Sequence, residues 1–325
     1  MGNAKRVVPW PIRTPCAESW YTEAPFFSPR TTRAVEHSVR AKHGQLKLRA
    51  AALTALVLLP LAANSWFCRA ALRDTGIDAA SFTSIRLIAG ALVLWLLVQA
   101  GGKARSAAGS WPSAFALFGY AALFSFAYLT LTAATGALLL FGSVQITMVA
   151  AALWRGDRLN AMQSAGVALA FAGLVGLLLP GLSAPPLLGA LMMIGAGVSW
   201  GVYSIRGSGA GSPTQVTAGN FLRTVPITLA LSLLMFRDFS VDAAGFGYAV
   251  ASGAITSALG YILWYSVLSM IKATTAATVQ LSVPVIVAIG GVLLLGEPLT
   301  LRLVLASAAV LGGVGLVISR RRRVG

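Results

Sequence analysis

The chain has 325 residues, 57% of them apolar and only 10% charged, against about a quarter charged in an average soluble domain. With 34 glycines, two histidines (His37 and His43) and two cysteines (Cys16 and Cys68), this composition excludes a soluble enzyme, a zinc or haem centre and a disulfide framework. The net charge of +16 is no nucleic-acid footprint either: nine basic residues fall in the first 49 positions and Arg320 to Arg323 close the chain, so the charge brackets an apolar body, as in integral membrane proteins.

Residues 1–48 carry Pro9, Pro11, Pro15, Pro25 and Pro29 among charges, with no helical period. They read as a disordered, basic cytoplasmic tail. No apolar core follows Lys5-Arg6, which argues against a signal peptide. Arg6 stands where a myristoylation motif wants Ser or Thr.

Beyond the tail, apolar blocks recur at the length of about 20 residues that a spanning helix needs. The expected spans are 50–71, 79–100, 112–131, 135–154 and 161–180, then 187–206, 217–236, 245–268, 273–295 and 299–319. Breaker residues mark the joints: Gly101-Gly102, Gly156-Asp157, Pro180-Gly181, Pro185-Pro186, Gly207 to Pro213 and Gly296-Glu297-Pro298. One set of alternate loops holds Lys103, Arg105, Arg155, Arg158, Arg206 and Lys272. The other set holds Arg73, Arg237 and Arg302 beside Asp74, Asp78, Asp238, Asp242 and Glu297. By the positive-inside rule both termini are cytoplasmic, and the chain is a multi-pass protein of the inner or plasma membrane.

The halves repeat each other, as 49–181 and 182–325. At a shift of 140 residues, Gly156-Asp157-Arg158-Leu159-Asn160 falls on Gly296-Glu297-Pro298-Leu299-Thr300, and Gly173 falls on Gly313. Ser65-Trp66 matches Ser199-Trp200, and Ile85-Arg86 matches Leu222-Arg223. Five spans per half is an odd number, so the second half is inverted relative to the first, which is a transporter architecture. The expected fold is an all-α membrane protein of ten helices in two inverted repeats.

The paired "SW" motifs, the paired arginines and the GDRLN and GEPLT joints resemble the EamA-type branch of the drug/metabolite transporter superfamily, over about residues 50–320. The resemblance implies export of amino acids, including aromatic ones, or of other small metabolites. It also implies a central cavity lined by helices one, three, four, six, eight and nine. Helix four in this family often carries a proline matching Pro284 of helix nine, the expected bend; here Val144 stands in its place.

On that frame, candidate substrate groups come from the cavity helices. Gln145, Gln280, Ser282, Asn64, Ser65 and Thr147 are polar, and an amide can meet both ends of an amino acid. Trp66, Tyr128, Phe141, Trp200, Tyr203, Tyr261 and Trp264 supply stacking surface, with an interfacial belt as the competing reading, strongest for Tyr203 and Tyr265. Arg86 and Arg223 are intramembrane charges that either hold a substrate carboxylate or a gating pair, or bond backbone carbonyls to fix packing. Their place in helices two and seven, outside the implied cavity, favours packing. Arg69 reads as interfacial. Small residues Gly166/Ala170 and Ala308/Gly312 read as packing seams.

No Asp, Glu or His lies within an expected span, which argues against a buried proton relay unless Asp157 or Glu297 dips into the membrane at its joint. A neutral or zwitterionic substrate fits better than a cationic drug. A multidrug or other metabolite carrier of the same superfamily is the alternative. A membrane-embedded enzyme is a weaker one, since the close carboxylate pair Asp74 and Asp78 flanks a glycine turn in an expected outer loop, and a channel lacks its filter motif. No catalytic residue, metal or cofactor is expected. The partners are a small-molecule substrate and the bilayer, with no nucleic acid, and the chain should act as a monomer or weak homodimer.

Overall fold

The structure, a computed structural model, describes residues 56–101, 108–156, 158–181, 184–207, 212–268 and 279–319. The expected tail, the start of the first and ninth spans, Asp157 and the basic residues Lys103, Arg105 and Lys272 lie outside them. The described residues are helical, without a strand: α1 (56–74), α2 (Ala79–Ala100), α3 (Trp111–Tyr128), α4 (Ala133–Trp154), α5 (Ala161–Leu178), α6 (Leu187–Gly207), α7 (Pro213–Leu234), α8, α9 (Ser282–Leu295) and α10 (Leu301–Ser319). Helix α8 runs Ala243–Ala251, continues as a π-helix over Ser252–Leu259 and ends as Gly260–Leu268. Seven of the described helices are long and apolar enough to cross a membrane.

Local chemistry sets the helix starts. Asp78 caps α2 by accepting from the Ala80 and Ser81 amides, Thr132 caps α4, and Asn160 with Gln163 forms a reciprocal capping box on α5. Helix α7 begins at Pro213, four residues earlier than the hydrophobic run implied, because a proline at the first helical position forfeits no hydrogen bond. Helix α9 restarts at Ser282 after a turn at Leu281, which puts Pro284 in its first turn, where it too is tolerated.

The helices are apolar on all sides, so their packing faces are set by close approach of small residues rather than by amphipathic stripes. Helix α5 packs along α10, α3 along α6, and α2 along α7 and the π segment of α8; α4 meets α6 and α9. The α5–α10 seam is tight. A Cβ on Gly173 would stand 3.1 Å from the Val310 amide, and one on Gly313 would stand 2.6 Å from the Ala170 amide. Gly166 and Ala170 therefore lie on the seam as expected. On α10 the contact residue is Gly313, whereas a Cβ on Gly312 meets nothing within 4 Å.

Candidate functional site

Where the helices converge, a small cavity is walled by rings and polar groups. Tyr120 and Phe124 come from α3, Phe141 and Leu140 from α4, Trp200 from α6, and Thr256 and Tyr261 from α8; Leu61, Asn64 and Ser65 of α1 and Gln280, two residues before α9, complete it. The rings close on one another, with centroids 4.8 Å apart for Tyr120 and Trp200 and 4.9 Å apart for Trp200 and Tyr261. The remaining void is about 20 Å³, room for roughly one water.

Asn64 organises the polar side. Its Nδ2 donates to the Tyr120 hydroxyl at 2.9 Å, and its Oδ1 accepts from Ser252 Oγ at 2.9 Å and Thr256 Oγ1 at 3.1 Å. Both hydroxyl residues belong to the π-helical stretch. A π turn holds more residues per turn than an α turn and recurs at functional sites. Ser257, in the same stretch, accepts from Arg86 Nε at 3.3 Å, while Arg86 Nη2 donates to the Tyr120 hydroxyl at 3.2 Å. Arg86 thus lies one side chain behind the cavity wall. The Tyr261 hydroxyl and Arg86 Nη1 are buried without a hydrogen bond.

The candidate residues from the sequence fall into several settings. Phe141, Trp200, Tyr261 and Gln280 share the cavity. Trp66 instead donates its indole N–H to the Val287 carbonyl at 3.0 Å, with its ring against Gly290. Gln145 is buried, its amide nitrogen unbonded, in a separate apolar void with Val149, Val167 and Val314 between α4, α5 and α10. Tyr128 donates to the Ala133 carbonyl. The Tyr203 hydroxyl accepts from Asn220 Nδ2 at 3.4 Å, and its ring packs on Trp200. Trp264 is buried. Ser282 donates to the Val279 carbonyl. The two arginines diverge: Arg223 Nη1 donates to the Ala108 and Gly219 carbonyls, both at 2.8 Å, whereas Arg86 sits in the core.

Sequence reasoning missed Tyr120, Phe124 and Thr256. The signal for the last was present, since Ser252 and Thr256 are four residues apart in an otherwise apolar run and so share a helix face.

A second polar cluster lies where α1, α3 and α9 end and α4 begins. Gly296, at φ 62°, closes α9 in the left-handed conformation, and this turns Glu297 inward. Its Oε1 accepts from Arg69 Nε at 3.0 Å, and its Oε2 accepts from the Ala133 amide at 2.7 Å, at the positive end of α4. Arg69 Nη1 also donates to the Tyr128 carbonyl at 2.8 Å. The two side chains are 13% and 5% exposed, so the joint carboxylate does dip into the protein.

Comparison with known proteins fits this arrangement. The profile of the EamA-like transporter family matches residues 187–319. An uncharacterized protein of Pseudomonas aeruginosa is 52% identical over 270 residues, 83% of this chain and 94% of that protein. The threonine/homoserine exporter RhtA of Salmonella typhimurium is 31% identical over 143 residues, 42% of this chain and 47% of that exporter. One solved protein crystal structure superposes with a TM-score of 0.62 at 21% identity, over 85% of this chain and 99% of that one, a likeness of fold alone.

Proposed function

The chain belongs to the EamA-like transporter family, and on that premise we propose that it exports small zwitterionic or neutral metabolites, amino acids among them, by alternating access. Family and relatives point to a transporter rather than an enzyme. The observation that carries the reading is the cavity. It draws its lining from α1, α3, α4, α6, α8 and Gln280 ahead of α9, and it offers amide and hydroxyl groups (Asn64, Gln280, Thr256) together with rings (Phe141, Trp200, Tyr261). Such a lining suits a substrate with a polar end and an apolar end. A void with room for about one water admits no amino acid, so passage requires the rings to part.

In the architecture we propose, 49–181 and 182–325 are inverted repeats of five helices each, related by a pseudo-twofold axis, with the 1–48 tail and both termini cytoplasmic in the inner membrane. The helix pairings support it. Exchanging each helix for the one five places along maps α3–α7 onto α2–α8 and leaves α2–α7, α4–α9 and α5–α10 unchanged. The mirrored contacts of Gly173 on Val310 and of Gly313 on Ala170 follow the same 140-residue shift. Rocking one repeat against the other would open the cavity to each side in turn.

Counterflow tests the function. Purified protein in liposomes loaded with an unlabelled amino acid should accumulate the same labelled amino acid saturably, across a panel that includes L-threonine, L-homoserine and L-phenylalanine. No exchange above protein-free liposomes for any member would overturn the reading.

A further inference from the structure

Arg86 is 1% exposed in the middle of the helical core. A guanidinium carries five N–H donors and a charge that it cannot shed. Here Nε and Nη2 reach only neutral hydroxyls, on Ser257 and Tyr120. Nη1 reaches nothing. The rings of Tyr120 and Phe124, centred 5.3 and 5.1 Å from the guanidinium carbon, soften the charge but do not neutralise it.

No carboxylate among the described residues supplies the counter-charge. Asp74 pairs with Arg73, Asp78 caps α2, Asp242 accepts from the Gly76 amide, and Glu297 pairs with Arg69; Asp238 is exposed in a 3-10 turn. A buried charge with no partner is costly, and a scaffold needing only a packing residue could hold a neutral one. The Tyr261 hydroxyl, on the cavity wall that it shares with Tyr120, is also unbonded. One unsatisfied donor thus sits on the cavity wall and the other behind it, and Tyr120, bonded to both Arg86 and Asn64, is the partition between Arg86 and the void.

We propose that Arg86 is the anion-binding group of the transport site: the carboxylate of the substrate accepts from Arg86 Nη1 and the Tyr261 hydroxyl once the Tyr120 partition moves. The proposal rests on the amino-acid reading above and narrows it. The substrate must bear a carboxylate, and compounds carrying only positive charge are repelled. Carboxylate is the natural complement, because a guanidinium offers it parallel, charge-assisted hydrogen bonds.

The test pairs an acid with its amide. Whichever labelled amino acid gives the largest counterflow is competed with its own unlabelled acid and its own amide, which lacks the charge. In the parent the amide should compete at least about tenfold less well, the size of one charge-assisted hydrogen bond. In Arg86→Gln that preference should shrink to within about twofold through loss of acid binding. Arg86→Lys should keep the preference with weaker acid binding, and Tyr261→Phe should weaken the acid severalfold and the amide less, so that the preference narrows. If Arg86→Gln is lost from the membrane, the parent's preference together with the Lys and Phe variants decides. A parent that takes acid and amide alike, or a Gln variant with the parental preference, overturns the assignment of Arg86 while leaving amino-acid transport standing. If no amino acid exchanges at all, both readings fall together.

Discussion

Replacing Glu297 by Gln should destabilise the protein by about 2–3 kcal/mol, at the lower edge of what breaking a buried ion pair costs. The magnitude follows from what each atom loses. The amide oxygen of the Gln still accepts from the Ala133 N–H, so the cap on α4 survives. The amide nitrogen then faces Arg69 Nε, donor against donor, and the Arg69 charge, 13% exposed, keeps only its backbone carbonyl partners. Arg69→Met should cost about 2 kcal/mol on its own. The double variant should cost about as much as either single one, because no unpaired charge is left behind, giving a coupling of about 2 kcal/mol. Reversible unfolding in mixed micelles, read by tryptophan fluorescence, supplies all four corners of the cycle. Costs that add to within about 0.5 kcal/mol would refute the reasoning and reduce the pair to a surface contact.

Trp200→Ala removes the ring that touches both Tyr120 and Tyr261, so it should lower counterflow of L-phenylalanine more than that of L-threonine when both are normalised to protein in the membrane. Equal losses would remove Trp200 from the substrate's path. Collapsing an imposed pH gradient should leave counterflow unchanged, since Glu297, the buried carboxylate, is held by Arg69 and the α4 amide; strict dependence on the gradient would make that carboxylate the proton carrier. Reporter fusions at Gly181 and Ala244 should read as non-cytoplasmic, and a cytoplasmic reading at either would break the proposed topology.

Much of the fold was legible because membrane spans are written in composition. The apolar blocks and the Gly-Pro joints fall where helices run and end, whereas the caps at Asp78, Thr132 and Asn160 came from the structure alone. Helix faces were not legible. A span that is apolar all round carries no amphipathic signal, which is why the α10 seam was expected at Gly312 and is found at Gly313. The same blindness separates Gln145 from Gln280: both are amides in neighbouring spans, yet they line different voids. Arg86 and Arg223 looked equivalent in sequence because their helices correspond. Only the packing of α3 and the π segment around one of them makes it a core charge. Two joints, at Asp157 and at Glu297, were the places where an acid could enter the membrane; Asp157 lies outside the described residues, and at the other joint the left-handed Gly296 turns Glu297 into the protein.

The π-helical stretch of α8 makes this span tolerant of a change in length. Such a stretch holds about one residue more than a regular helix of the same rise. Because the wider turn absorbs the rotation of that residue as well, deleting one codon between Ser252 and Leu259 would let α8 relax to α-helix, span the same thickness and leave Tyr261 and Trp264 on nearly the faces they hold now. The change would fall on the stretch itself, where Ser252 and Thr256 meet Asn64 and Ser257 meets Arg86. Insertions and deletions usually ruin a membrane span; here one would rework the polar wall of the cavity and spare its rings.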